Sequence, residues 1–283
     1  ATVIWALGET PANPNNTIYI VQLSTASNWT GTVFSSTTIR NNQSAIVSGL
    51  TANTTYYSRV IARNWNNADA ITTVSASTLT LCNIPVGVSL SFTELMTNSI
   101  TANWSANNNP TGTEYQVVKA QNSNFNSDVS TTNWITSTNF AFAPLTANTT
   151  YFFRIKARDY NQRETAWYLI GSTATLCSAP DSPQWSTINT SNVKVVWGLS
   201  ESPANPNMIY ITQVAEFPDF QTGTVYSSST PRNNQSAIVS SLMPNTTRYA
   251  RVIARNWNGV DAIATVPAST STLCNIPDSV STA

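Results

Sequence analysis

The chain has 283 residues, with 13 basic and 13 acidic side chains, a net charge of zero and no histidine. Charged residues make up only 9%, against roughly 25% in ordinary soluble domains, and without clustered Lys and Arg there is no footprint for nucleic acid or an anionic membrane. The lack of histidine removes Ser–His chemistry and imidazole metal ligation, and no Asp-x-Asp calcium loop or other cofactor motif occurs.

Ser, Thr and Asn supply more than a third of the chain. Such a neutral surface gains little colloidal protection from repulsion. It is therefore coated with glycan, packed into an assembly, or kept wet by hydroxyls and amides alone.

Residues 1–91 recur almost letter for letter 192 positions later, with Trp5 returning as Trp197, Asn64-Trp65-Asn66 as Asn256-Trp257-Asn258 and Cys82 as Cys274. Between 35–85 and 227–277, 39 of 51 positions are identical, which makes the chain a repeat array. The segment between carries the same landmarks in diverged form: Trp104, Leu145 to Tyr151, Ala157-Arg158 and Leu176-Cys177. Repeats of about 95 residues in the order A-B-A′ follow. A unit of that size lies near the common size of an independent domain, unlike a solenoid repeat of 20 to 45 residues, so each unit is expected to fold alone. The expected units are 1–82, 83–177 and 178–274, with 275–283 opening a further one.

Only four residues precede Trp5, whereas the matching spans, Pro85 to Trp104 and Pro180 to Trp197, run 19 and 17. The first unit is thus expected to lack its opening strand and to be completed from outside, by more of the polypeptide or by a neighbour. Next come Glu9 and its copy Glu201, each in a Leu-x-Glu-x-Pro turn. They are the strongest acid–base candidates. Glycosidase chemistry needs two facing carboxylates, no second one recurs nearby, and the chain reads as non-enzymatic.

Secondary structure is β throughout. Ser99 to Trp104 places Ile100, Ala102 and Trp104 on one face, and Tyr151 to Ala157 places Tyr151, Phe153, Ile155 and Ala157 inward with Arg154, Lys156 and Arg158 outward. Asn, Pro and Gly clusters punctuate these runs, and no apolar period of 3.6 persists. Short strands with one inward face each are buried most simply as a two-sheet sandwich.

A Trp ending the second strand, an inward Tyr in the third (Tyr19, Tyr115, Tyr210) and Leu-x-x-Asn-Thr-Thr-Tyr before an Arg-Val-Ile-Ala-Arg-Asn strand resemble the fibronectin type III domain. The resemblance covers the whole chain as three tandem immunoglobulin-like β-sandwiches. It implies a tyrosine corner at Tyr56 and Tyr151, whose phenols bond back to the preceding loop. Asn53, Asn148 and Asn245 stand where the family usually has Gly, which suits a turn with positive φ. The third unit departs: Arg248 holds the corner position and Tyr249 follows it, so either the corner is lost or the strand is shifted. The resemblance also places Trp65, Tyr160 and Trp257 in the loop between the last two strands. There an amide-flanked aromatic can contact a sugar or a partner, pack one unit on another, or cover its own sandwich.

Cys82, Cys177 and Cys274 close each unit in Leu-Cys-x-x-Pro. Separated by a whole sandwich, they cannot pair in an extended chain, because a disulfide needs Cα atoms within about 7 Å. They are candidates for packing at the linker or for an interchain disulfide. Asn15, Asn28, Asn42, Asn103, Asn189 and Asn234 are candidate glycosylation sites. The expected function is structural: a segment of a repetitive, bacterial, extracellular or cell-surface stalk, sheath or filament. The alternative is an adhesin, or the spacer of a carbohydrate-active protein, that binds ligand through its aromatic loops. No cofactor is expected, and the expected partners are further copies of the chain or of its repeat array, with glycans as a second class.

Overall fold

The computed structural model describes residues 1–6, 13–39, 42–72, 76–199, 208–231, 233–257 and 259–276. Glu9, Glu201 and the segment 277–283 lie outside these. Among the described residues all regular structure is β.

The first unit comprises β1 (Thr2–Ile4), β2 (Ile18–Ser24), β3 (Val33–Ile39), β4 (Ser44–Ile46), β5 (Thr55–Arg63), β6 (Asp69–Ile71) and β7 (Ala76–Leu79). The second has β8 (Val86–Thr93), β9 (Ile100–Ser105), β10 (Glu114–Ala120), β11 (Ser130–Thr131), β12 (Asn139–Phe142), β13 (Thr150–Arg158) and β14 (Tyr168–Ala174). The third has β15 (Asp181–Ile188), β16 (Asn192–Gly198), β17 (Ile209–Ala215), β18 (Val225–Pro231), β19 (Ser236–Ser240), β20 (Thr247–Arg255), β21 (Asp261–Thr265) and β22 (Thr270–Ser271).

Each unit is two antiparallel sheets around its own core. The larger sheets run β3-β2-β5-β6 with β7 also on β5, β11-β10-β13-β14, and β18-β17-β20-β21 with β22 also on β20. The smaller ones are β12-β9-β8 and β15-β16-β19, but only β1-β4 in the first unit. There β1 has a single partner among the described residues, where β9 and β16 are paired on both sides. A cleft of about 880 Å³ opens beside it, lined in part by Val3, Trp5, Leu23 and Val60. Among the described residues no strand lies against β1 where β8 lies against β9 and β15 against β16.

The core follows the period-two pattern. Along β13, Tyr151, Phe153, Ile155 and Ala157 are buried while the residues between them are half-exposed. The strand-ending Trp packs on the inward Tyr in every unit: ring centroids lie 5.6 Å apart for Trp5–Tyr19, 6.0 Å for Trp104–Tyr115 and 5.2 Å for Trp197–Tyr210. Tilted or edge-on pairs of this kind add about 1 kcal/mol to the area they bury.

The turn before the long strand is left-handed in all three units, with φ of 45° at Asn53, 49° at Asn148 and 52° at Asn245. Asn accepts this region because its short amide bonds locally. Tyr56 Oη accepts the Thr51 N–H at 2.9 Å and Tyr151 Oη the Thr146 N–H at 3.0 Å, which closes the corner in the first two units.

In the third unit the strand keeps its register, with Arg248 opposite Thr270, and the corner is lost. Arg248 occupies the tyrosine's place in the interior, fully buried. Its Nη1 donates to Glu216 Oε1 at 3.1 Å and its guanidinium lies 5.4 Å from the Tyr226 ring. In the first unit the matching pair is Phe34 edge-on to Tyr56 at 5.7 Å. An aromatic pair has become a cation–aromatic pair, at the cost of leaving Arg248 Nε and Nη2 without partners.

Candidate functional site

The most elaborate side-chain chemistry lies at the two joints between units. At the first joint the left-handed turn presents the Asn53 amide to the second unit, where it is buried at 1% exposure. Nδ2 donates to Thr113 Oγ1 at 2.9 Å, and Oδ1 accepts the Tyr160 N–H at 3.0 Å. Thr113 precedes β10 and Tyr160 sits in the loop after β13, so two elements of the second unit form a seat for one residue of the first.

Linker amides extend this joint. Asn83 N–H donates to Asn109 Oδ1 at 2.7 Å while Asn109 Nδ2 returns a bond to the Asn83 carbonyl at 2.8 Å. Arg163 Nη2 reaches back to the Leu79 carbonyl at 2.8 Å while its Nε pairs with buried Asp159 at 2.7 Å. Asp159 in turn accepts the N–H groups of Asn161 and Arg163, which fixes the loop that carries Tyr160.

The second joint reuses the positions. Asn148, 2% exposed, donates from Nδ2 to Met208 Sδ at 3.1 Å, with Met208 at the place of Thr113. Asn256, at the place of Asp159, donates to the Thr175 carbonyl at 3.3 Å, and Trp257 Nε1 donates to Thr150 Oγ1 at 3.0 Å. The aromatic loops at Tyr160 and Trp257 therefore pack one unit on another. Trp65 is 74% exposed, with no unit against it among the described residues.

Cys82 and Cys177 lie at the two joints, and none of the three cysteines forms a disulfide among the described residues. Cys82 is half-buried against the core of the second unit, and Cys177, at 1% exposure, belongs to the core of the third. Burial first, and the nearby Asp159 carboxylate second, push the Cys82 thiol up to about 11, with Arg163 opposing. Cys274 is exposed.

Of the candidate glycosylation sites, Asn15, Asn28, Asn42, Asn189 and Asn234 are exposed. Asn103 is half-buried in β9, its Nδ2 donating to Thr93 Oγ1 at 2.9 Å, a position poorly suited to a glycan. Asn53 and Asn148 match the same motif, yet their amides are sealed in the joints.

A second feature escaped sequence reasoning. On the outer face of the second unit, Arg154 stacks between Phe125 and Trp167, Lys156 between Trp134 and Trp167, and Arg158 on Trp134, all within 5.4 Å. The outward cations were legible from alternation. Their aromatic partners come from loops distant in the chain and carry no spacing signal. The other units have one rung each, Arg59 on Trp29 and Arg251 on Phe220. Among the described residues no group of three or more His, Cys, Asp or Glu is placed to hold a metal ion, and no helix is long and apolar enough to cross a membrane.

Residues 85–167 match the family model of the fibronectin type III domain. The second unit is thereby identified as a fibronectin type III domain. The flanking units share the sheet order, the Trp–Tyr pair and the left-handed Asn turn of the matched one. No curated protein matches the chain. Among solved structures, a segment of two fibronectin type III domains from chicken tenascin is 14% identical with a TM-score of 0.45, covering 67% of this chain and all of that one. The chicken CNTN1 FN1–FN3 domains are 16% identical with a TM-score of 0.34, covering 92% of this chain and 90% of that one. Fibronectin type III domains are common in extracellular and cell-surface proteins.

Proposed function

We propose that the chain is a structural segment of an extracellular stalk, sheath or filament, in which fibronectin type III domains are held in fixed succession and further copies are the partner. The observation that carries this reading is the joint itself. Two successive domains meet through the same buried asparagine, the same receiving loop and the same linker cysteine, at Asn53 and again at Asn148. Buried amides with partners restrict the hinge, since swinging the domains apart would expose or orphan them. Proline after each linker restricts its predecessor to extended backbone. A stiff spacer needs both features.

Trp257 donates its indole N–H to the preceding domain, which weighs against an adhesin that grips through it, whereas Tyr160 meets the preceding domain through its backbone N–H and its hydroxyl bonds Thr111 O of its own domain. The near absence of charge suits contacts that multiply along a rod without ion pairs. Small-angle scattering of the 283-residue chain should give a stiff rod of about 100 Å, on the basis of strands spanning roughly 25 Å per domain plus loops. A broad distribution of end-to-end distances would remove the structural reading.

A further inference from the structure

We infer that Met208 is an oxidation site that controls the second joint: a peroxide reaches its sulfur only when the joint opens, and the sulfoxide it leaves keeps the joint from closing. The inference stands on the geometry of that joint and goes beyond the role proposed for the rod.

Met208 immediately precedes β17, where the first two units carry Thr17 before β2 and Thr113 before β10. All three side chains are buried. Of the three, only Met208 can be oxidised by peroxide. Its Sδ accepts Asn148 Nδ2 at 3.1 Å, so the thioether meets the preceding domain directly, and Met208 also belongs to the third domain's core together with Cys177, Trp197 and Tyr210. Met96 and Met243 are 53% and 61% exposed, against 2% for Met208. These two supply an internal reference for the same reaction in open solvent.

Hydrogen peroxide transfers one oxygen atom to the sulfur: the S–O bond forms as the O–O bond breaks, sulfur loses two electrons, and the remainder leaves as water. The closed joint is a poor host for the product. Sulfur and amide nitrogen already meet at 3.1 Å, which leaves no room for an oxygen between them. Pointed the other way, the sulfoxide dipole enters the core cluster, where taking it out of water is costly. Nor can the Asn148 turn retreat alone, because its left-handed φ of 49° and the bond from its N–H to Leu176 O at 2.9 Å fix it within its own domain. Separating the two domains relieves the conflict. The first joint, built on Thr113, has no such sulfur, so oxidation loosens one joint and spares the other.

The test is hydrogen peroxide added to the intact chain, with each methionine followed by peptide mass spectrometry. Met208 should gain its oxygen at least about tenfold more slowly than Met96 and Met243, because its reaction waits for opening. A thiol reductant then reverses sulfenic acid and disulfide but not sulfoxide. After that step Cys177, sealed in the same core, should alkylate about tenfold faster in the oxidised chain than in the untreated one, while Cys82 at the first joint should be unchanged. Met208→Leu keeps an apolar side chain that peroxide does not convert, and Met208→Thr installs the residue of the first two units. In both, the Cys177 rate should stay constant through the same treatment. Methionine sulfoxide reductase should return the wild-type rate to its starting value.

A Met208 that oxidises as fast as Met96, or that remains a thioether at about a hundredfold the exposure that converts Met96, would overturn the inference. So would a Cys177 rate left unchanged by full oxidation of Met208, a rise of that rate in both variants, or a rate that stays high once the thioether is restored. Scattering decides the rod separately: a chain already flexible before peroxide removes the structural reading, while Cys177 alkylation still reads the joint.

Discussion

The joint after the first domain and the joint after the second put the same residue in the same backbone geometry, yet surround it differently. At Asn53 both ends of the amide are satisfied, by a hydroxyl and by a backbone N–H. At Asn148 the nitrogen donates to a thioether, a weak acceptor, and Oδ1 has no partner. The second joint compensates with apolar burial: Cys177 sits within the next domain's core, whereas Cys82 is only half-buried against the core of the domain that follows it. The left-handed turn and the receiving loop are fixed. The chemistry that fills the seat can trade hydrogen bonds for hydrophobic contact, and that freedom lets near-identical and diverged units follow one another in one chain.

The largest expected effect is at the satisfied joint. Asn53→Ala gives up the tolerance of Asn for left-handed backbone, about 1 kcal/mol, and removes two buried hydrogen bonds at about 1 kcal/mol each. Denaturant unfolding of the first two domains should show a loss of about 3 kcal/mol, and a loss below about 1 kcal/mol would mean that the joint holds nothing.

The cysteines test the apolar side of the comparison. Cys177→Ser exchanges a soft sulfur within the third domain's core for a hydroxyl that is costlier to take out of water, at about 2 kcal/mol. Cys82→Ser should cost under about 1 kcal/mol, because water reaches that site. The reverse order would contradict the trade of hydrogen bonds for burial.

Glycine replacements then separate the amide from the turn. Because Gly accepts positive φ freely, its entropic penalty is shared by all three positions and cancels between them. Asn53→Gly should cost about 1.5 kcal/mol more than Asn245→Gly in the monomer, and Asn148→Gly only about 0.5 more. Equal losses at 53 and 148 would show that the thioether serves as well as the hydroxyl.

Much of the fold was open to reading. Alternation along Tyr151–Ala157, the Trp–Tyr pair and the positive φ at Asn53 all follow from local preferences that tertiary structure does not override. The role of Tyr160 and Trp257 was visible only as one of three options, because whether a loop aromatic meets a ligand, its own domain or the next depends on docking, which leaves no period in the sequence. Arg248 was read correctly as a departure, but its consequence required the register. Alternation makes a buried arginine an improbable occupant, and only its Tyr226 and Glu216 partners explain why it is tolerated. The stacked face of the second domain was invisible for the same reason, since Trp134 and Trp167 reach Lys156 across the fold.

The smallest expected effect is an alkaline weakness confined to the first joint. In the unfolded chain the Cys82 thiol ionises near 9.0, and in the folded protein burial holds it up to about 11. The folded state therefore binds the proton more tightly, so its advantage is present below pH 9 and fades as pH rises through 11. Tyr115, across the joint in the second domain and also raised by burial, pulls stability in the same direction. Wild type must accordingly be compared with Cys82→Ala rather than with itself at neutral pH. The difference in stability between the two should be constant from about pH 6 to 8 and should shift in favour of the alanine variant above about pH 9. A parallel pair of curves across that range would place the Cys82 thiol in water, and the first joint would then be looser than its hydrogen bonds imply.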